Sequence, residues 1–306
     1  MNIYYNGVDI YGDISLNYAV HEMFAEKQAD SLVLRFNDPN GVWSEWEPAE
    51  GDEIQLKEGY ADTGIMYVHR MTPENGFFTI RALSIPLSAK TKNSNSWEGV
   101  RLLQLGEQIA EAHGLAFDSY GVTDQVYPYL AQDNEGDLAF LSRLAMLEGC
   151  QLIIYDGRLI LYDEAELEAV PPTGELEVGE NGIFAYYNNR SKCYGSCEVN
   201  SGSFSGTADA ADSYDNVLRP SGIRATSDGE AERFAAGLLR NANKYAYTGR
   251  FTKALQTEFA AASIFELSTT KASMCNGPVF VYKVRHDYVR NASTIYFRKL
   301  LETEDE

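Results

Sequence analysis

Apolar and polar residues alternate strictly along four segments of the chain between Ala29 and Ser84. Because successive side chains of a β-strand point to opposite faces, this alternation places one apolar face against a core and one polar face against water. Short polar turns join the segments, which predicts a small, curved antiparallel barrel or sandwich. The apolar positions are Leu32, Leu34 and Phe36, then Ile54 and Leu56, then Met66 and Val68, and last Phe78, Ile80 and Ala82.

Two more strands are predicted ahead of these segments, at residues 1–5 and 12–20. After the segments, Pro86 and the polar run at 88–96 predict a domain boundary in an exposed loop, because the run holds too few apolar residues to pack. The first predicted unit is therefore a β unit that ends near residue 86.

A helical pattern follows between residues 97 and 163. Apolar residues recur at helical spacing in two windows, and a glycine follows each window where a left-handed C-cap is expected. Asp156-Gly157 then separates two apolar runs, which is a strong signal for a hairpin. These features predict a small α/β module. The two windows are 100–113, ended by Gly114, and 137–148, ended by Gly149.

The next segment is predicted to be irregular. An acidic run at 164–172, which ends in two prolines, is interpreted as a linker. A strand is predicted at 192–204, and the small and polar residues at 203–216 predict a loop.

The longest predicted helix begins at Ser227. Ser227 and Glu230 fit a capping box, in which each satisfies a free backbone N–H, and Gly249 is predicted to end the helix. Four strands come after it, so the last unit is predicted to be a second β unit with one long helix. These strands are predicted at 250–255, 264–268, 278–287 and 293–301.

Composition excludes several classes of function. The 306 residues carry 45 acidic and 25 basic side chains, a formal net charge of -20. Such a charge repels nucleic acid and anionic membranes, so we expect no specific nucleic-acid binding. The sequence has no apolar run of membrane-spanning length and no secretion signal, so we expect no membrane insertion and a cytoplasmic location. The 20 tyrosines favour a β-rich fold with protein interfaces.

No catalytic or metal-binding constellation is recognised in the sequence. The cysteines form no C-x-x-C pair and are predicted to be free thiols, and each histidine stands alone. The sequence contains no nucleophile elbow, P-loop or G-x-G-x-x-G motif. We therefore predict no catalytic residue, no cofactor and no metal, and do not expect an enzyme. The residues considered are Cys150, Cys193, Cys197 and Cys275, with His21, His113 and, on the polar phase of predicted strands, His69 and His286.

Acidic pairs and tryptophans allow one other interpretation, a carbohydrate-binding or carbohydrate-hydrolysing β protein. A glycosidase needs two carboxyl groups roughly 5 to 9.5 Å apart across a cleft. Neighbouring strand residues instead point to opposite faces, and 45 acidic residues produce pairs by chance. The residues concerned are Asp52 with Glu53, Glu45 with Glu47, and Trp43 and Trp46, for which a core or interface role is the stronger prediction.

The order of these features resembles a known family. The first β unit is similar to the N-terminal barrel of the phage late control protein D family, the baseplate hub proteins of contractile-tailed phages and phage-tail-like particles. The residues that carry this resemblance are Asp30-Ser31-Leu32, Phe36, Asp38-Pro39, Trp43, Gly51-Asp52, Gly59-Tyr60 and Ile80-Arg81-Ala82.

Later blocks resemble the same family in the same order. In the central block, Trp-x-Gly precedes a helix that ends in His-Gly-Leu, and a Gln-x-x-x-x-Asp-Leu-x-Phe-Leu segment opens the second helix. The chain departs from the family at 260–262, where three alanines replace the usual glycine. The matching residues are Trp97, Gly99, His113-Gly114-Leu115, Gln132, Asp137-Leu138, Phe140-Leu141, His286 and Tyr288.

The resemblance implies an α+β, mainly β fold: two tube-type antiparallel β-barrel domains with an intervening small α/β module. It implies a structural baseplate hub, a homotrimer whose six barrels adapt a six-fold tail tube to a three-fold central spike. Its partners would be the tail tube protein, the spike protein and other baseplate proteins. The chain would stay in the bacterial cytoplasm during assembly and then in the baseplate of a phage virion or phage-tail-like particle. The expected domains are 1–86, 87–165 and 166–306.

Two alternatives stay open. One is another tail tube or distal tail protein, which would normally need a single barrel. The other is the carbohydrate-binding β protein.

Overall fold

The computed structural model describes residues 1–178, 183–270 and 272–301. They form a mainly β structure with helices packed beside the sheets, which confirms the α+β, mainly β fold class. In these ranges no helix has both the length and the apolar character needed to cross a membrane.

The first β unit is built from the alternating segments. Leu32, Leu34 and Phe36 are fully buried, as the alternation predicts. The strand predicted at 12–20 begins later, at Leu16, because Tyr11–Asp13 form a 3-10 turn. Its elements are β1 Asn2–Tyr5, β2 Val8–Asp9, β3 Leu16–Phe24, β4 Ser31–Asn37, α1 Val42–Trp46, β5 Glu53–Glu58, β6 Ala61–Asp62, β7 Met66–Glu74 and β8 Phe77–Leu83.

Trp43 reveals how strongly the sheet of this unit curves. Its ring stacks on Phe36 of β4 at a centroid distance of 4.2 Å and lies 6.4 Å from Tyr5 of β1. β4 and β1 are four steps apart along the ladder, which would separate them by roughly 19 Å in a flat sheet. The sheet therefore folds round so that both strands face one core.

The central unit contains both predicted helices and the predicted hairpin. Gly114 and Gly149 follow the helices in the left-handed region, with φ of 69° and 75°. The turn residues Asp156 and Gly157 also have positive φ, as a tight two-residue hairpin requires. The elements are β9 Lys92–Arg101, α2 Leu102–Ala112, β10 Ala116–Tyr120, β11 Val126–Gly136, α3 Asp137–Leu147, β12 Cys150–Tyr155, β13 Arg158–Asp163 and α4 Glu164–Glu168.

The last part of the chain contains the predicted long helix and the four closing strands. Ser227 caps the helix, since its Oγ accepts a hydrogen bond from the N–H of Glu230 at 3.2 Å. The elements are β14 Glu175–Val178, β15 Ile183–Asn188, β16 Ser196–Ser201, β17 Phe204–Asp209, β18 Val217–Leu218, α5 Asp228–Asn243, β19 Tyr247–Ala254, β20 Ser263–Thr269, β21 Gly277–Asp287 and β22 Ala292–Lys299.

One continuous sheet runs through both β units. Its strand order is β15-β19-β22-β21-β3-β4-β8-β7-β5-β1-β2, with β14, β20 and β6 attached beside this path. The two units join where β3 pairs antiparallel with β21, from Lys283 opposite Phe24 to Asp287 opposite Val20. Each unit nonetheless has a hydrophobic core of its own.

α5 packs with the central unit, although it was expected within the last β unit. Its buried Ala231, Phe234 and Leu239 share a core with the residues of α2, α3 and β13, and so do Cys197 and Val199 of β16. The domain boundaries 1–86, 87–165 and 166–306 remain a prediction.

Two predicted loops are regular structure instead. The polar run at 88–96 was predicted as a loop, but most of it belongs to β9, which pairs with β11 from Lys92 to Arg101. The predicted loop at 203–216 contains β17, whose Gly206 lies so close to α5 that a Cβ would meet the Glu232 nitrogen at 2.1 Å. Polar or very small side chains hid the strand pattern in both places.

Two other boundaries were also wrong. The acidic run at 164–172, interpreted as a linker, begins with helix α4, which Asp163 caps by accepting from the N–H groups of Ala165 and Glu166. α5 ends at Asn243 rather than Gly249. Gly249 is a residue of β19, where its missing side chain makes room for the ring of Phe297.

The placement of His69 and His286 on polar strand faces was wrong. Both side chains are buried. β7 shifts register between Val68 and Arg70, and β21 shifts between Val281 and Lys283. An extra residue at a bulge reverses the alternation beyond it, so the polar phase read from the sequence becomes the core phase.

Candidate functional site

The motif residues of the central unit meet in one hydrogen-bonded cluster around Asp137, at the start of α3. His113 Nε2 lies 3.0 Å from Asp137 Oδ2, and Gln132 Nε2 donates to Oδ1 at 2.7 Å. Asn93 donates to both oxygens at 3.0 Å. Ser88 Oγ lies 2.9 Å from His113 Nδ1 on the other side of the ring. The cluster therefore joins the end of α2, the β9–β11 ribbon and the start of α3.

The Asp137 cluster favours an ionised carboxylate. Burial alone would raise the pKa of Asp137, but hydrogen bonds from Gln132, Asn93 and His113 outweigh burial and hold this pKa below its ordinary value. Ser88, His113 and Asp137 are hydrogen-bonded in the same spatial order as the nucleophile, base and orienting acid of a serine hydrolase. Here the side-chain amides of Asn93 and Gln132 also donate to Asp137, so the cluster ties several elements together.

Two other histidines lie where the β units meet. His21 of β3 and His286 of β21 are directly opposite in the ladder, and both are fully buried. His286 Nδ1 lies 2.8 Å from Ser293 Oγ. Burial lowers the pKa of His21 to about 3 and also lowers the pKa of His286, so both rings are neutral at pH 7. A neutral, enclosed pair suits a structural role.

A second buried cluster connects all three parts of the chain, and we call it the junction cluster. Lys244 Nζ lies 2.9 Å from Glu164 Oε1 and also contacts Glu26. Arg298 Nη2 lies 3.1 Å from Glu164 Oε1 and 2.5 Å from Glu168 Oε1. The cluster consists of Glu26 in the β3–β4 loop, Glu164 and Glu168 on α4, Arg240 on α5, Lys244 just after α5, and Arg298 on β22.

The junction cluster balances three carboxylates against three basic groups. Such a balance matters because a buried charge without a partner is strongly destabilising. Sequence reasoning missed this cluster entirely, since it read the segment around Glu164 as an exposed linker. The only sequence feature that pointed to the cluster was the four-residue spacing of Glu164 and Glu168, which fits one turn of a helix.

The two tryptophans considered for sugar stacking have different environments. Trp43 is buried and stacks between Phe36 and Phe78. Trp46 is 48% exposed and packs on the ring of Tyr5. They do not form an exposed platform together, and the core role predicted for Trp43 is confirmed.

Asp52, from the acidic pair Asp52 and Glu53, is engaged in the hydrogen bonds of a turn. Asp52 accepts hydrogen bonds from the N–H of Ala49 at 2.7 Å, from Asn6 at 3.1 Å and from the hydroxyl of Tyr5, so it fixes the turn before β5. Within the described ranges, no group of three or more His, Cys, Asp or Glu residues is placed to hold a metal ion.

The main strand path of the continuous sheet ends at β15 and at β2, and exposed apolar residues lie at both ends. Among the described residues β15 pairs only with β19, and its residues Ile183 and Tyr187 are 70% and 47% exposed. At the other end, Val8 on β2 is 63% exposed and lies opposite Tyr5 of β1, on whose ring the 48% exposed Trp46 packs. Apolar residues at free sheet edges are typical of surfaces that pair with another chain.

Comparison with known proteins identifies the fold. A 43 kDa tail protein of prophage MuSo2 from Shewanella oneidensis superimposes with a TM-score of 0.76 over 97% of both chains, at 10% sequence identity. A tail protein from Neisseria meningitidis gives 0.75 over 97% of this chain and 95% of its own, at 9% identity. The chain has the fold of these tail proteins.

The tail-protein fold extends to a secretion-system component. The Escherichia coli protein c3393, described as a component of the type VI secretion system with structural similarity to the T4 tail proteins gp27 and gp5, gives a TM-score of 0.61. It is 12% identical and is matched over 99% of this chain and 78% of its own. No family model and no curated protein matches the sequence. The resemblance drawn from the motifs is thus confirmed at the level of the fold.

Proposed function

We propose that this chain is a structural protein of a phage or phage-like tail, and that it forms the baseplate hub. Three copies would form a closed ring of six β units that adapts a six-fold tail tube to a three-fold central spike. The observation that carries the proposal is the pair of β units in one chain, joined edge to edge through β3 and β21. The alternative tail tube protein would normally supply one such unit per chain.

The terminal edges of the sheet support contacts between copies, and the proposed ring is the closed form of such contacts. A contact between β15 of one copy and the β1–β2 edge of the next joins different surfaces, so it is head-to-tail. Head-to-tail contacts close into a ring when the rotation between copies is an integral fraction of a full turn. The β3–β21 junction inside each chain provides a template for this second junction.

The fold neighbours support a tail location. They are tail proteins of prophage and bacterial origin and a type VI secretion component. A structural role without enzymatic activity agrees with the Asp137 and junction clusters, whose polar groups bind one another. Association with tube and spike proteins, and incorporation into a virion or tail-like particle, belong to the same proposal.

The test is the mass of the purified chain in solution, alone and produced together with its spike protein. We expect a species of three times 34.1 kDa, or a complex with three copies of each chain. Trp46→Glu and Ile183→Lys, at opposite edges, should each reduce the mass to that of a monomer.

Tyr120→Glu is the matched control, because Tyr120 is 47% exposed but lies on β10, away from both edges. It should leave the trimer intact. A monomer under both conditions, or a trimer that neither edge substitution weakens, would overturn the ring.

A further inference from the structure

β12 is an edge strand without the usual protection. The small sheet of the central unit has the order β10-β13-β12, so one side of β12 has no strand partner among the described residues. Its sequence, Cys150–Tyr155, contains no charged residue and no proline. Natural edge strands are normally blunted by such residues because an apolar edge pairs with other chains. The opposite edge, β10, does carry a charge, Asp118, which is paired with Arg158 at 2.8 Å.

The hairpin shows which backbone groups of β12 face the open side. A two-residue turn makes its flanking residues, Tyr155 and Arg158, a hydrogen-bonded pair. At the other end of the hairpin, the N–H of Glu164 donates to the carbonyl of Gly149 at 3.4 Å, so Gly149 is also a residue whose backbone bonds across to the partner strand. The odd-numbered residues of β12 therefore bond to β13.

Leu152 and Ile154 consequently direct their N–H and C=O groups away from β13. These groups line the wall of a groove of 560 Å³, to which four consecutive residues of β12 contribute. Four consecutive lining residues mean that the groove follows the strand edge, since a strand face would show only every second residue.

The opposite walls of the groove are mostly apolar. α3 contributes Leu138, Ala139, Ser142 and Met146, and Ile85 and Ala89 line one end. A groove with a strand edge on one side and apolar side chains opposite suits an extended peptide. The backbone of such a peptide would pair with β12, and its alternate side chains would face α3.

The charged lining residues are both basic, in a chain with a net charge of -20. Arg143 is already paired with Glu135 at 2.6 Å. Lys27 has Glu26 at 3.8 Å, but that carboxylate also binds Lys244 and Tyr245. Lys27 therefore leaves net positive charge beside the groove, which suits a peptide carboxylate.

We propose that this groove binds an extended apolar segment of a partner protein that carries a carboxylate near one end, and that the segment adds to β12 as a fourth strand. The groove lies between the central unit and the β3–β4 loop of the first β unit, and neither β15 nor β2 lines it. Peptide binding to this groove can therefore be tested separately from the formation of the ring.

The probe is a synthetic peptide of alternating valine and threonine with an aspartate at one end. Two N-methylated forms, each blocked on one set of alternate residues, provide a matched pair, because only one set of N–H groups faces the edge of a neighbouring strand. We expect the unmodified peptide and one methylated form to bind, and the other form to bind at least tenfold more weakly.

Variants of the whole chain locate the binding site. Ser142→Trp fills the groove and should weaken binding at least tenfold, whereas Ser119→Trp on β10 should leave it unchanged. Lys27→Gln, at a 47% exposed side chain, should weaken binding severalfold, and its thermal unfolding should match that of the wild type. Binding should slow hydrogen exchange at the amides of Leu152 and Ile154 and leave that of Ile153 unchanged.

Three results of the binding experiments would overturn the proposal. They are no binding by the wild-type chain, equal binding of both methylated forms, or binding that Ser142→Trp and Lys27→Gln leave unchanged. Self-association of the free chain that Ser142→Trp abolishes would assign the groove to a second copy instead, and would also overturn it.

Discussion

Arg298 of β22 binds α4 to the last β unit. Its guanidinium is fully buried and contacts both Glu164 and Glu168. Burial alone would raise the pKa of Glu164, but Lys244 and Arg298 outweigh it and hold this pKa below its ordinary value. A lowered carboxyl pKa contributes stability that is present above the unfolded-state pKa and is lost as the pH falls through the folded-state pKa.

Arg298→Met should therefore destabilise the chain strongly. It removes one charge from the junction cluster and leaves two buried carboxylates with fewer partners, which costs about 3–5 kcal/mol of unfolding free energy. The measurement is chemical denaturation at pH 7. Arg158→Met is the control, because its pair with Asp118 is about half exposed on both sides and should cost at most about 1 kcal/mol. Similar losses for the two variants would refute a structural role for the cluster.

Asp30 is a buried carboxyl whose pKa is raised by burial and is lowered by only one hydrogen bond. Its Oδ1 accepts a hydrogen bond from the N–H of Phe24 at 2.8 Å. Burial raises the pKa of Asp30 to about 7, because the single backbone hydrogen bond does not offset the loss of water. The ionised form is therefore disfavoured in the folded chain.

Asp30→Asn should stabilise the chain in a pH-dependent way. Below about pH 4 the aspartate of the wild type is protonated and therefore neutral, like the asparagine of the variant, so the two proteins should be equally stable. Between pH 4 and 7 the unfolded wild type ionises first, so the difference should grow by up to about 1.4 kcal/mol per pH unit and level off above pH 7. Denaturation of both proteins between pH 4 and 8 measures this, and a constant difference would contradict it.

At the scale of elements, α3 and α5 pack unusually closely. A Cβ on Gly237 of α5 would meet the carbonyl oxygen of Leu147 at 2.3 Å and the nitrogen of Gly149 at 2.8 Å. These are backbone atoms, which cannot move aside as a flexible side chain can. The absence of a side chain at position 237 thus sets the distance between α5 and the end of α3.

Gly237→Ala should lower the unfolding free energy by about 1–3 kcal/mol or more, as overpacking does. Gly229→Ala on the same helix is the control, since no atom lies within 4 Å of its added Cβ. That substitution should stabilise by up to about 1 kcal/mol, because alanine favours helix more than glycine does. Thermal unfolding of both variants checks the prediction, and equal shifts would contradict the close packing.

Elements whose side-chain pattern reports burial could be predicted from the sequence. The alternation in β4 and the Ser227 cap of α5 depend on contacts within one segment, so local residues were sufficient. The other half of the predicted capping box differs, because Glu230 accepts from the N–H of Thr226 instead of that of Ser227. β9 and β17 could not be predicted, because their partners are distant backbone and their own side chains are polar or very small. Bulges in β7 and β21 reversed a correct pattern midway along the strand.

Of the two polar clusters, the sequence pointed to the residues of one and not to those of the other. His113, Gln132 and Asp137 were identified through the resemblance of their motifs, and the fold brings them together. The junction cluster was invisible, because Glu26 and Arg298 stand at opposite ends of the sequence and no local pattern connects them.

At the scale of the whole molecule, two β units share one sheet, and the main strand path ends at β15 and β2 without a further strand partner among the described residues. That geometry supports the proposed ring, because each chain contributes two curved units and offers two different edges to its neighbours. In the proposed ring, the central unit with α2, α3 and α5 would lie outside and contact other baseplate proteins.

The most direct test of this account is an electron cryomicroscopy reconstruction of tail particles that incorporate a tagged copy of the chain. We expect three copies in the baseplate, whose six β units form one ring between the tube and the spike. Six copies in one ring with a single β unit each at the tube wall, or a tail without the tagged chain, would contradict it.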